Sequence, residues 1–215
     1  MTTTCDIIKI EVTENNKSEV SFPDEFLLGI YDVVKFTKEL CERENIEYFI
    51  DGGTLLGCVR EEGQILWDND ADFGISPPNF KKLKQFKSDF EKQGYRWKDN
   101  EPDKIQVQNL NMWFTQNNTN ICPCLDILVY KTIKENFISK VVISNETYRR
   151  QYPYATYYQK HLYPLVNYTY RCLDAEPLVL KGANNPKKYL DGSYPNWKEK
   201  LIYDHKIYYN AKKEA

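Results

Sequence analysis

The stretch EYFIDGGTLLGCVREEGQILWDNDADFGI, residues 47–75, decides the fold class. Its first four residues, 47–50, predict a short strand, which the two glycines after Asp51 break. Residues 54–60 then predict a short helix, and Asp70–Ile75 predicts a second strand that ends before two prolines. A strand–turn–helix–strand unit of this kind belongs to folds that combine helices with a sheet.

Three aspartates stand at alternate positions near the start of the second strand. On a strand, Asp68, Asp70 and Asp72 would project from one face, where their like charges repel unless a hard divalent cation neutralises them. Asp126 lies in the apolar run 124–130, which predicts a buried strand, and a charge there is costly unless paired or metal-bound. The alternative for the first three aspartates is a solvated acidic loop, and the alternatives for Asp126 are an exposed strand end or a pair with an arginine. We predict that Asp70, Asp72 and Asp126 are catalytic and share Mg²⁺ or Mn²⁺.

The glycine turn between the strand and the short helix is a candidate for phosphate binding. Gly52, Gly53 and Thr54 stand where backbone N–H groups at the start of a helix can face phosphate oxygens, and glycine allows close approach. A Gly-Gly-Thr sequence alone is usually only a turn, but the aspartates that follow it favour a combined phosphate and metal unit. Arg60 is a weaker candidate in the same region, and its alternative is an ion pair with a nearby acid such as Glu61.

The remaining pattern predicts further helices and strands around this unit. A helix over 21–45 shows apolar residues at helical spacing, and Asn79 can cap a helix over 79–94 whose apolar face includes Phe80, Leu83, Phe86 and Phe90. Strands are predicted at 95–97, 104–108, 112–115 and 122–130, and a short helix at 185–190. We expect an α+β fold divided into a lead-in (1–20), a catalytic core (21–135) and a C-terminal extension packed on the core (136–215).

Composition and charge exclude several classes of function. The formal net charge is −2 and no basic block is present, so binding to long nucleic acid has little support. No run of about 18 apolar residues predicts a transmembrane segment, and residues 1–16 lack a secretory signal, so we expect a cytoplasmic protein. The six cysteines and two histidines match no zinc-finger spacing, and Cys122 and Cys124 are expected to be buried thiols.

The central motifs are those of a known family. Residues 53–60, Gly63 and residues 65–74 closely resemble the signature of the LicD family, roughly G-T-L-L-G-A-V-R, a spacer and W-D-D-D-I-D. The segments around Asp126 and over 181–197 resemble its later elements. The family includes bacterial phosphocholine transferases and, more distantly, fukutin-type ribitol-phosphate transferases. The resemblance implies a nucleotidyltransferase-like, polymerase-beta-type mixed sheet flanked by helices, and metal-dependent transfer of a phospho-alcohol from a CDP-linked donor to a glycan or sugar hydroxyl.

The residues expected on the substrate side surround the acidic cluster. They are Gly52, Gly53, Thr54, Arg60, Trp67 and Asp68. Tyrosines crowd residues 148–163, and two roles are open to them: an aromatic box for a quaternary ammonium group, or a core whose hydroxyls reach water. We favour the core.

Two other functions use the same residues. Nucleotidyl transfer to a sugar, a protein or a small molecule would need the same three aspartates, and only the mass of the product would distinguish it. A non-catalytic module that binds a glycan or a nucleotide is the third possibility, and failure to bind metal would favour it.

Overall fold

A computed structural model describes residues 13, 15–16, 20–116, 119–194 and 196–199. Most of the predicted lead-in, residues 1–20, therefore lies outside the described residues. The helices of the described chain are α1 (Asp24–Arg43), α2 (Gly52–Arg60), α3 (Pro77–Leu83), α4 (Lys87–Lys92), α5 (Glu146–Gln151), α6 (Gln159–Leu162) and α7 (Lys187–Ser193), with one 3₁₀ turn at Lys84–Phe86.

The described strands form one large mixed sheet and two short ribbons. They are β1 (Tyr48–Ile50), β2 (Asp70–Ile75), β3 (Tyr95–Lys98), β4 (Lys104–Asn109), β5 (Phe114–Gln116), β6 (Thr119–Ile121), β7 (Cys124–Glu135), β8 (Ile138–Ile143), β9 (Thr156–Tyr158), β10 (Val166–Tyr170) and β11 (Leu178–Gly182). The large sheet has the order β1-β2-β7-β4-β3, and β8 and β9 continue from the far part of β7. Of its neighbouring pairs, only β2 and β7 run parallel.

Helices α1 and α2 pack against the strands that carry the aspartates. Helix α1 buries an apolar face that includes Leu27, Ile30 and Val34, and it packs against β4 and β7. Helix α2 packs against β2 and buries Leu55 and Leu56. These helices and the central strands share one apolar core. The predicted α+β fold with a mixed sheet flanked by helices is therefore confirmed.

The helix predicted over 79–94 is three shorter pieces. It begins at Pro77, because prolines suit the first turn of a helix, and Ser76 occupies the capping position that was predicted for Asn79. The Asn79 amide donates to the Ser76 hydroxyl at 3.1 Å instead. The predicted apolar face is nevertheless observed, since Leu83 and Phe90 are buried and the other two phenylalanines pack against the core.

The chain after residue 130 is more regular than the sequence indicates. Strand β7 continues to Glu135 and pairs with β8, and β10 and β11 form an antiparallel ribbon that lies against β1. Helix α7 begins two residues later than the predicted start and extends to Ser193. Cys122 and Cys124 are free and buried, as expected, and the strand itself begins at Cys124.

Candidate active site

Strands β2 and β7 bring three aspartates together. Asp72 and Asp126 stand opposite each other in the parallel register, and Asp70 lies two residues earlier on the same face as Asp72. One carboxylate oxygen from each of the three lies within 4.8 Å of the others. Because the two strands are adjacent and parallel, the alternation of side chains is enough to place all three carboxylates on one side of the sheet.

The electrostatics of this cluster suit a divalent cation. Burial raises the pKa of Asp70 and of Asp72 well above the ordinary carboxyl value. The charges of their neighbours add to the effect, with Asp72 acting on Asp70 and Asp126 acting on Asp72. A bound cation would remove this repulsion, and carboxylate oxygens are the ligands that Mg²⁺ and Mn²⁺ prefer. The donor set therefore fits the expected metal, and these residues could hold it.

Asp126 has two partners that the sequence did not indicate. Lys104 Nζ lies 2.7 Å from one of its carboxylate oxygens, and Gln106 Nε2 donates to the other at 2.8 Å. Burial lowers the pKa of Lys104, but the Asp126 carboxylate outweighs burial and raises it. Asp126 therefore has a positively charged partner, as the alternative interpretation expected, but the partner is a lysine on β4 rather than an arginine. A cation that binds Asp126 must share or displace Lys104.

The glycine turn is hydrogen-bonded directly to β2, the strand that carries Asp70 and Asp72. The Gly53 N–H donates to Asp72 Oδ2 at 3.2 Å, and the Thr54 hydroxyl accepts from the Asp72 N–H at 2.8 Å. Gly52 has a φ of +51°, which disfavours any residue with a side chain. A Cβ on Gly52 would collide with the Asp72 carboxylate, and one on Gly53 with that of Asp68. Glycine is therefore required here, because the carboxylates approach the backbone closely.

Asp51, just before the turn, is a functional candidate that the sequence analysis missed. It is 2% exposed, and its carboxyl group accepts a hydrogen bond from Tyr157 at 2.7 Å and another from Tyr130. Tyr189 stacks on Tyr157 with ring centroids 4.2 Å apart, and its hydroxyl accepts the Gly52 N–H at 3.1 Å. Burial, followed by the nearby Asp51, raises the pKa of both donating phenols, so they remain protonated donors. Of the tyrosines in residues 148–163, Tyr157 lies in the core, where its hydroxyl donates to Asp51 rather than to water, whereas Tyr152 and Tyr154 are exposed, so the favoured core role holds for only part of the group.

The Arg60 and Trp67 side chains lie next to each other, and Trp67 directly precedes Asp68 in sequence. The Arg60 side chain is 6% exposed, pairs with Glu61 through Nε at 2.9 Å, and places its guanidinium 5.7 Å from the centroid of the Trp67 ring. The ion pair that was the alternative for Arg60 is therefore present. Trp67 is 5% exposed and belongs to the core, whereas Asp68 precedes β2 and reaches Gly53. Asp68 is thus outside the strand that was expected to carry all three alternating aspartates.

One exposed aromatic ring stands near the three aspartates. Tyr152 is 53% exposed, and after burial the largest influence on its pKa is the charge of Asp72, which raises it, followed by Lys104, which lowers it. Its hydroxyl is therefore within electrostatic reach of the site. Among the tyrosines of 148–163, Tyr152 is the one that combines an exposed ring with the charges of this cluster.

Comparisons with known proteins agree with these motifs. A family model described as the nucleotidyltransferase domain of LicD, FKTN and FKRP matches residues 45–176. An uncharacterised protein of Rickettsia typhi is 34% identical over 82% of this chain and 49% of its own length, and one of Rickettsia prowazekii is 33% identical over 82% and 58%. The lipopolysaccharide cholinephosphotransferase LicD of Haemophilus influenzae is 44% identical over 41 residues, 19% of this chain and 16% of that protein.

The matches differ in how much of each protein they cover. The chain spans about half the length of the two rickettsial relatives. In the described part of the chain, no helix is both long enough and apolar enough to cross a bilayer. The family model nevertheless covers more than half of the sequence, including the glycine turn and all three aspartates of the site. The chain belongs to the LicD family.

Proposed function

We propose that the protein transfers a phospho-alcohol, such as phosphocholine, from a CDP-linked donor to a glycan or sugar hydroxyl. The observation that carries the proposal is the convergence of Asp70, Asp72 and Asp126 within 4.8 Å, next to a glycine turn. Membership in the LicD family supports a transferase, and the similarity to a cholinephosphotransferase supports the choice of donor.

The bonds that change are those of a phosphoryl transfer. The acceptor hydroxyl oxygen forms a bond to the phosphorus that carries the alcohol, and the bond from that phosphorus to the bridging oxygen breaks, so that CMP leaves. Mg²⁺ or Mn²⁺ held by Asp70, Asp72 and Asp126 would neutralise charge on the diphosphate and on the leaving group. Asp126 lies on the neighbouring strand, and we assign it the further role of orienting or accepting the proton of the hydroxyl.

The substrate side of the site follows from the residues around the cluster. The turn at Gly52, Gly53 and Thr54 lies beside the carboxylates, where a donor diphosphate would also have to lie. We propose that Arg60, Trp67 and Asp68 shape the wall of the donor site on the other side of the turn. Lys104 forms an ion pair with Asp126, and if a bound metal displaced it, its ammonium group would be available to contact a phosphate oxygen.

The alcohol of the donor can be tested through Tyr152. Its exposed ring near the aspartates could cover a quaternary ammonium group, an interaction of about 0.5–2 kcal/mol. If the alcohol is choline, CDP-choline should be preferred over CDP-ethanolamine and CDP-ribitol, and Tyr152→Leu should remove the preference. A preference for CDP-ribitol would exclude the aromatic contact and move the analogy to the fukutin-type enzymes.

The test of the function is release of CMP. The purified chain is incubated with Mg²⁺ or Mn²⁺, a panel of CDP-alcohols and sugar acceptors, and the products are identified by mass. Asp70→Asn and Asp72→Asn should abolish metal-dependent CMP release, whereas Asp174→Asn, an exposed aspartate outside the site, should retain it. Full turnover in either β2 variant would overturn the assignment. A product that gains NMP would indicate nucleotidyl transfer, and absence of metal binding would indicate a non-catalytic module.

A further inference from the structure

The turn between β7 and β8 carries an aromatic side chain in an unusual place. Asn136 and Phe137 have φ values of +48° and +66°, the pattern of a tight hairpin turn whose second position strongly favours glycine. Bulky side chains rarely adopt this conformation, and Phe137 is also fully exposed, at 106%. Burial in the fold therefore does not explain a phenylalanine at this position, and strain of this kind often marks a functional contact.

A second apolar side chain and a basic cleft adjoin this phenylalanine. Ile138, the next residue, is 46% exposed. Both residues line a cleft of about 770 Å³ whose other walls include Lys160, His161 and Lys188. The ten residues that line the cleft include no carboxylate. The hairpin tip thus places two exposed apolar groups directly beside a basic cleft.

The two lysines of the cleft are not paired with the acids around it in the described part of the chain. Within the described chain, neither Lys160 nor Lys188 forms an ion pair with a carboxylate, and Lys188 Nζ lies 4.1 Å from the centroid of the Tyr158 ring. Three nearby acids have other partners, since Glu135 pairs with Lys140 on the hairpin, Asp191 pairs with Lys187 on α7, and the Glu47 side chain is hydrogen-bonded to Tyr163 at the wall of the cleft. The cleft therefore offers its two lysines to an external anion.

We propose that Phe137, Ile138, Lys160 and Lys188, here called the tip surface, dock the protein on an anionic lipid bilayer. The two apolar side chains would enter the headgroup region, and the two lysines would contact lipid phosphates. Peripheral anchoring combines apolar insertion with basic residues in this way, because each signal alone is weak. A stable protein interface buries about 800 Å² on each partner, which two projecting side chains cannot supply.

The tip surface is separate from the three aspartates. Asp126 precedes Glu135 by nine residues on the same strand, which places the tip roughly 30 Å from the aspartate along β7. Membrane docking and metal binding can therefore be tested independently, and the proposal goes beyond the proposed transferase activity without depending on it.

The experiment is co-sedimentation of the full chain with vesicles of phosphatidylcholine alone or mixed with phosphatidylglycerol. We expect binding to the mixed vesicles, weakened by salt and much weaker with phosphatidylcholine alone. Phe137→Gly should weaken binding by about tenfold or more. The same change should keep or raise Tm, because glycine adopts a φ of +66° without strain. A phenylalanine with a purely structural role would instead lower Tm when replaced.

Matched controls distinguish binding through the tip surface from nonspecific adsorption to vesicles. Trp113→Ser removes another exposed aromatic residue, and Lys81→Gln removes an exposed lysine on α3, so both should leave vesicle binding unchanged. The double variant Lys160→Gln/Lys188→Gln should remove the preference for anionic vesicles. Equal binding of the wild type to both kinds of vesicle, or no binding to either, would overturn the proposal. So would a dimer that Phe137→Gly dissociates in the absence of vesicle binding.

Discussion

The buried carboxyl group of Asp51 should be a large contributor to stability, and Asp51→Asn tests this. The substitution keeps the shape but replaces one acceptor oxygen with an NH₂ group. Tyr157 and Tyr130 both donate to this carboxyl group, so one of the two phenols then faces a donor. An unsatisfied buried polar group costs about 1–3 kcal/mol, and a neutral acceptor also weakens the remaining bond. We expect Asp51→Asn to lower the free energy of unfolding by about 2–4 kcal/mol.

Two further variants test whether the loss of stability comes from the hydrogen bond between Tyr157 and Asp51. Tyr157→Phe removes one donor and leaves the carboxyl group with Tyr130, so it should cost about 1–2 kcal/mol. If the two groups bond each other, the double variant Asp51→Asn/Tyr157→Phe should cost less than the sum of the single changes by about 1 kcal/mol. Tyr158→Phe is the matched control, because the neighbouring residue lies on the other face of β9 and is only partly buried.

The assay is urea unfolding in EDTA at fixed pH, followed by far-UV circular dichroism. The slope of free energy against urea should stay constant, since the surface exposed on unfolding does not change. A loss below about 0.5 kcal/mol for Asp51→Asn, or strict additivity with Tyr157→Phe, would refute the reasoning.

Three further outcomes follow from the charges and burial of the site. Lys104→Met should lower metal-free stability by about 1–3 kcal/mol, because its carboxylate partner on β7 is left unpaired. The same change should tighten Mn²⁺ binding about tenfold in calorimetry, because the lysine no longer competes with the metal for that carboxylate. Weaker Mn²⁺ binding would exclude this competition. Burial and mutual repulsion raise the pKa of Asp70 and Asp72, so the folded protein binds protons at these carboxyl groups more tightly than the unfolded chain does. The stability that this proton binding provides without metal is complete below about pH 4 and is lost as pH rises through the raised pKa values. Urea midpoints in EDTA should therefore fall over that range, and saturating Mg²⁺ should reverse the trend; equal slopes with and without Mg²⁺ would argue against metal at this site. Burial raises the pKa of Cys41 to about 12, and in a Cys5→Ser background the native protein should react with a thiol reagent no faster than it unfolds.

The cluster of three aspartates could be predicted because it depends on local periodicity. Alternation places Asp70 and Asp72 on one face of any strand, whatever its neighbours. The apolar run around Asp126 likewise indicates a buried strand without knowledge of its partners. One further fact was needed, that the two strands are adjacent and in register, and the sequence supported it only indirectly, through the cost of a charge in an apolar run. The structure brings the three carboxylates together as that combination requires.

The partners of these carboxylates could not be predicted, because they come from pairings that no local pattern encodes. Lys104 meets Asp126 only because β4 lies antiparallel beside β7, with Gln106 opposite Asp126. Asp51 and Tyr157 are 106 positions apart in sequence. A buried aspartate before a glycine turn resembles an ordinary helix cap, and its side chain makes no capping hydrogen bond here.

Strands β8 and β10 were missed for a different reason. In β10 only the last residue is fully buried, and in β8 burial is graded from the exposed Ile138 to three buried residues. Neither strand shows the strict alternation that identifies a strand with one buried face. These strands are stabilised by pairing with β7 and β11, which is tertiary information.

The contacts around Asp72 link the fold to the chemistry. Its backbone oxygen accepts from the Asp51 N–H at 3.0 Å, its N–H donates to Thr54, and its carboxylate accepts from Gly53. The same residue is thus both a candidate metal ligand and the attachment point of the turn. A metal ion that bound Asp72 through Oδ2 would therefore compete with the Gly53 N–H or share the oxygen with it. If the N–H is released, it becomes a free donor beside the metal, where a diphosphate oxygen would need one. In this arrangement metal binding would prepare the glycine turn for the donor, and metal should increase nucleotide affinity beyond the direct metal–phosphate contact.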